Sequence, residues 1–229
     1  KEFEKTTKHD VKALEYYIQH KFKQINLQKY ISFIHFGLTS QDVNTTGNMI
    51  GLKESIKMEV ITDCNEILEI LDSLYIRYKD LPMLSHTHGQ IAIPTTLGKE
   101  FKVFYYRIAT QLKQINDFEY TTKFGGAVGN MNAHYLAYPE IDWKEFSNKL
   151  ISDMELKREE YTTQISNYDS VCNILNLLKT LNNIINDLNI DCWLYISKNY
   201  LVQKINKNEV GSSTMPHKVN PINFENSEG

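Results

Sequence analysis

The chain has 229 residues, 41% of them hydrophobic and 23% charged, with a net charge of −3 at pH 7. This is the make-up of an ordinary globular protein, long enough for one large domain or two small ones. Its scattered Lys and Arg form no basic stripe for nucleic acid, and no apolar run reaches the length of a membrane span.

No secretory pattern precedes the first helix, and the odd set Cys64, Cys172 and Cys192 has neither CxxC nor zinc-ribbon spacing. Reduced thiols in the cytoplasm are the expectation. The sequence opens at Lys1 without a methionine and stops at Gly229 within a polar stretch, which reads as a piece of a longer protein.

Taken in chain order, Val11, Leu14, Tyr17 and Ile18 predict a short helix near 10–23 with one apolar face. A polar connection, HFGLTSQDVN (35–44), follows. Met49, Leu52, Ile56, Val60, Cys64, Ile67, Leu71, Leu74 and Tyr78 then recur at steps of three and four, predicting a long helix. After a second connection, SHTHGQIAIP (85–94), Pro94 is placed to open a helix carrying Leu97, Phe101, Phe104, Ile108, Leu112 and Ile115. The glycine-rich KFGGAVGNMNAH (123–134) is a third connection.

Val171, Ile174, Leu178, Leu181, Ile185, Leu188, Cys192 and Tyr195 form an a/d seam over roughly four heptads, the spacing of helices packed nearly parallel in a bundle. No stretch alternates convincingly enough to predict a sheet. The expected fold class is therefore all-α, a long-helix bundle. Helices of roughly 40–50 Å, at about 1.5 Å per residue, are seldom covered by one small chain.

The fourth connection, GSSTMPHKVNP (211–221), cannot extend the helix before it. Gly211 frees the backbone, while Pro216 and Pro221 each remove a helix donor. His9, His35, His86, His88, His134 and His217 all lie in or beside polar segments of this kind. Antiparallel helices could carry these connections to common ends and so to one cleft.

Several chemistries fail in detail. His86-x-His88 could ligate zinc, but no acidic partner or HExxH stands near it. Pro216 sits where a P-loop needs its second glycine, and Gly211-Ser212-Ser213 does not make G-x-S-x-G. Acid–base chemistry on an anionic substrate survives. An imidazole exchanges protons near pH 7. Lys218 and Asn220 could hold a carboxylate, and a serine beside a fixed cation loses its proton more readily than in water.

Residues 211–221 resemble the signature loop of the fumarase/aspartase superfamily, pattern GSSxMPxKxNP, at every defined position. Thr87-His88-Gly89-Gln90, Gly126-Ala127-Val128-Gly129-Asn130, Tyr138-Pro139-Glu140-Ile141-Asp142-Trp143, Tyr161-Thr162-Thr163-Gln164 and Phe224-Glu225-Asn226-Ser227-Glu228-Gly229 resemble its bacterial-type adenylosuccinate-cleaving branch. So do His9-Asp10-Val11-Lys12 and Thr39-Ser40-Gln41-Asp42-Val43-Asn44. His217 separates the chain from fumarases and aspartases, which usually carry a small residue there, and from argininosuccinate lyases, which carry a glutamine.

The resemblance implies a homotetramer whose central bundle is shared between subunits, with sites built from more than one chain. Residues 1–36 would be the remainder of an N-terminal helical domain and 37–229 a central bundle domain truncated after the signature loop. It implies elimination of fumarate from adenylosuccinate to give AMP, and from the succinylated aminoimidazole-carboxamide ribotide, with no cofactor or metal. Ser212 would take the carbon-bound proton and His88 protonate the departing nitrogen, while Lys218 and Asn220 hold the carboxylate. His9 and Asp10 would approach the nucleotide. Thr39, Ser40, Thr87, Gln164, Ser213 and Asn226 would bind the succinyl group. A sister lyase with another succinyl substrate and a catalytically silent helical scaffold are the alternatives.

Overall fold

A computed structural model of the chain describes residues 2–204, 215 and 219–229. The helices and strands run α1 (Glu2–Thr7), α2 (Asp10–Gln24), a 3-10 turn (Gln28–Phe33), α3 (Ser40–Ser55), a π turn (Ile56–Val60) and α4 (Ile61–Tyr78). β1 (Pro82–Thr87), β2 (Gln90–Thr96), α5 (Leu97–Asn116), β3 (Thr121–Thr122), α6 (Asn132–Ala137) and α7 (Trp143–Asp153) follow. β4 (Lys157–Arg158), α8 (Asp169–Ser197) and α9 (Ile222–Glu228) complete the order. The expected all-α class holds for the bulk of the chain, and the three long helical periodicities fall on helices.

Residues divide into two compact units, 1–58 with 119–172 and 59–118 with 173–229. In the second unit α4 packs against α5. Phe101, Phe104, Ile108, Leu112 and Ile115 are all buried, and Cys64 and Leu71 close the facing side. Gly98 is required by this packing, because a Cβ there would lie 2.6 Å from the Tyr75 carbonyl oxygen. In the first unit α3 packs on β3, which pairs with β4, and α7 packs on β4. The buried Thr46 and Thr122 hydroxyls meet at 3.0 Å there.

Three expectations are corrected. First, the 85–94 connection is not a plain loop. β1 and β2 form an antiparallel hairpin, with Leu84 opposite Pro94 and Thr87 opposite Gln90. Its strands escaped the alternation test because both faces of β2 are largely exposed, so no buried face imposes a period of two. Second, Pro94 lies within β2 and does not open α5. Thr96 is the N-cap of that helix, its hydroxyl accepting from the Lys99 amide. Third, the apolar face of α2 is not its buried face. Leu14 and Tyr17 are exposed, while Ala13 and Glu15 are buried, the latter beside Lys12 and His35.

The seam of α8 is buried at Ile174, Leu181 and Cys192 and half-buried at Leu178, Ile185, Leu188 and Tyr195. Leu175, Ile190 and Trp193 on the same helix stay exposed.

Candidate active site

In the first unit the corner at the start of α3 is built around Asp42. Thr39 is the N-cap in extended backbone, and Asp42 returns to it. The Asp42 Oδ2 accepts the Thr39 amide at 2.8 Å and the Thr39 hydroxyl at 3.1 Å. This is the acidic half of a capping box. The other oxygen faces the glycine loop, accepting the amides of Gly125 at 2.8 Å and Gly126 at 3.2 Å. Lys123 Nζ lies 2.7 Å from the same Oδ1, and neither side chain is exposed at all. Lys123 also donates to the Gly126 carbonyl at 2.6 Å and to Thr39 Oγ1 at 3.3 Å.

Burial would raise the Asp42 carboxyl. The Lys123 ammonium and the amides of Thr39 and Gly125 outweigh it and hold the group below the usual carboxylate range.

His134 closes the underside of this corner. It is buried among Phe36 and Trp143, with ring centroids 5.2 and 4.9 Å away. A Cβ on Gly37 would come within 2.5 Å of the imidazole, and Gly37 has φ +64. Only glycine suits that place. Burial pushes the His134 pKa down, against opposing pulls from Asp42 and the Phe36 backbone.

A further segment is held beside this one. Glu159 accepts from the Ser166 hydroxyl at 2.6 Å and the Asn167 amide at 2.9 Å. These bonds fix the exposed stretch that carries Gln164. The Tyr168 hydroxyl donates to Gln41 Oε1 at 3.0 Å, tying this stretch to α3. The first unit thus gathers Thr39 and Ser40, the glycine loop and the Gln164 segment. Its His9 caps α2, with Nδ1 accepting the Lys12 amide at 3.3 Å, and His9 and Asp10 both remain exposed.

Among the described residues, the second unit carries Thr87, His88, Asn220 and Asn226. His88 and Gly89 form the two-residue tip of the β1–β2 hairpin, with φ of 54 and 73. Paired positive φ values are the pattern of a type I′ turn. The strand twist therefore sets the direction of the exposed His88, with Thr87 beside it on β1. Ser85 sits at the register shift, its hydroxyl bonded to the Ile93 carbonyl at 2.6 Å, and the His86 ring meets Tyr200 edge-on at 5.6 Å.

Asn226 lies exposed on α9. That helix is held to α8 by Asn189 on Ser227 at 2.7 Å and Trp193 on Glu225 at 3.2 Å. Asn220 is half-buried. Ser212, Ser213 and Lys218 lie outside the described residues. On either side of them, the Gln203 amide donates to the Val219 carbonyl at 3.2 Å.

Sequence reasoning passed over Asp42 and Lys123. Thr39-x-x-Asp42 is a capping signal that could have flagged the first. Lys123 carries no local signal, because its partner is 81 positions away in sequence.

The family described as Lyase matches residues 1–229. The chain is 48% identical over 235 residues to adenylosuccinate lyase of Dictyostelium discoideum, covering all of this chain and 50% of that protein. It is 43% identical over 230 residues to adenylosuccinate lyase of Escherichia coli strain K12, again all of this chain and 50% of that protein. The chain spans about half the length of the curated relatives it matches. Among solved structures, 3-carboxy-cis,cis-muconate lactonizing enzyme from Pseudomonas putida aligns with a TM-score of 0.76 at 21% identity. That alignment covers 99% of this chain and 50% of the other, and it speaks to the fold alone.

Proposed function

The chain belongs to this lyase family, of the fumarase/aspartase type, and from that membership we propose that it acts in the cleavage of adenylosuccinate to AMP and fumarate. The succinylated aminoimidazole-carboxamide ribotide is the second substrate of this reading. The observation that carries it is identity of 43–48% across the whole chain to adenylosuccinate lyases. A sister lyase with another succinyl substrate is the alternative reading.

In the proposed elimination Ser212 takes a proton from the succinyl carbon beside a carboxylate. The freed electron pair becomes the second bond of the fumarate double bond. The C–N bond breaks, its pair stays with nitrogen, and His88 supplies the proton that nitrogen needs to leave. Lys218 and Asn220 hold the carboxylate where charge gathers in the transition state. Thr39, Ser40, Thr87, Gln164, Ser213 and Asn226 hold the succinyl group, with His9 and Asp10 toward the nucleotide. Besides the C–N cleavage and double-bond formation, this chemistry needs only proton transfers and calls on no redox cofactor.

We assign assembly as a homotetramer in the cytoplasm. The half-buried seam of α8 and an apolar groove lined by Ile70, Leu74, Leu188, Ile196, Val202 and Phe224 support shared helices. Among the described residues no helix is long and apolar enough to cross a membrane.

The test is incubation of the full-length protein with adenylosuccinate, following loss of its absorbance and release of fumarate. Turnover with both products supports the reading. No turnover of adenylosuccinate, with turnover of another succinyl compound, favours the sister lyase; no turnover of any favours a silent scaffold.

A further inference from the structure

The Asp42–Lys123 pair has a geometry that a fold-stabilising contact does not need. Both side chains are fully buried, and their hydrogen bonds go to one corner: Thr39, Gly125, Gly126 and each other. A buried ion pair is a poor source of stability, since well-packed apolar residues often serve as well or better. What it supplies here is direction. The three protons of the Lys123 ammonium match three acceptors, at Asp42 Oδ1, the Gly126 carbonyl and Thr39 Oγ1. Receiving that bond, the Thr39 hydroxyl turns its own proton to Asp42 Oδ2. Thr39 is therefore held through its amide and its hydroxyl together.

We propose that Asp42 and Lys123 are positioning residues for the elimination site, clamping the Thr39–Ser40 corner of α3 to the glycine loop 125–129 so that the succinyl carboxylate is held in line for proton removal. This rests on the reading above, in which Thr39 and Ser40 meet that carboxylate. The pair touches no substrate itself. Its effect passes through Thr39, where both members converge.

The experiment uses the full-length enzyme with Lys123→Met and Lys123→Gln, the second keeping a donor for the Gly126 carbonyl. Asp42 retains four donors in either variant, the Thr39 amide and hydroxyl and the amides of Gly125 and Gly126, so its hydrogen bonds survive the loss of the cation, which itself lowers stability. Misplaced positioning shows in turnover more than in binding. The expected result is a fall in kcat of about 10–100-fold with KM changed by less than about threefold, in protein of unchanged assembly.

Thr39→Val, nearly isosteric, should also lower kcat. Combined with Lys123→Met it should add little, because two links of one chain are not independent. Wild-type kcat in a folded Lys123 variant, or effects that simply add with Thr39→Val, would overturn the positioning role. A wild type that releases no fumarate from adenylosuccinate refutes instead the function on which the proposal rests.

Discussion

Gly129 lies against Thr162 so closely that a Cβ on the glycine would stand 2.1 Å from the Thr162 carbonyl oxygen, and its φ is +82. The glycine loop and the segment carrying Gln164 therefore meet through bare backbone. Gly129→Ala should cost at least about 2 kcal/mol, from the left-handed backbone and the forced separation together. Urea unfolding of the full-length protein measures this. A loss below about 0.5 kcal/mol would mean that the two segments separate freely.

His134 should make the protein acid-sensitive. Its folded pKa is depressed by burial, so the unfolded chain binds a proton that the folded one refuses. Its contribution is fully present above about pH 6.5, the ordinary histidine value, and is lost as pH falls below it. Asp42, also depressed, adds a second loss below about pH 4, where the unfolded carboxyl protonates before the folded one. Between pH 7 and 5 the stability gap separating wild type from His134→Gln should narrow, because the variant lacks the titrating ring. A constant gap across that range would remove His134 from the pH dependence.

The cysteines should react unequally. Cys172 is exposed, whereas burial pushes the Cys192 thiol up to about 11 and raises Cys64 as well. Thiolate is the reactive form, so at pH 8 a disulfide reagent should modify Cys172 well before the other two. Peptide mapping after brief labelling reads this directly, and early labelling at Cys192 would contradict it.

The two proposed proton-transfer roles separate by isotope exchange. Ser212→Ala and His88→Ala should each lower turnover by about 10²–10⁴. Ser212→Ala should block deuterium entry into the succinyl methylene, while His88→Ala still allows it where carbon deprotonation and nitrogen departure are separate steps. Near-normal turnover in Ser212→Ala would remove the serine and direct attention to His217.

Local patterns carried the long helices. Every apolar residue named for α5 is buried, because one stripe of a helix facing one neighbour writes a period of 3.6 into the sequence. The start of α3 was hidden in a polar stretch, since its first turns are held by the Thr39–Asp42 cap and not by an apolar stripe. The hairpin was hidden for a related reason. Ile91 and Ile93 are exposed, so no buried face enforces alternation, and turn geometry at His88–Gly89 sets the strands.

For the proposed site, the sequence offered candidate residues and the fold supplied their neighbours. The signature residues and Thr39, Ser40, His88 and Gln164 are proposed from short contiguous motifs, which can be read along the chain without the fold. The partnership of Asp42 with Lys123, the seat of His134 beneath Gly37 and the contact of Gly129 with Thr162 join positions far apart in sequence. Hydrogen-bond direction, desolvation and close backbone approach arise only when the folded chain brings such groups within a few ångströms, and it is there that the tertiary structure decided what the linear order could not.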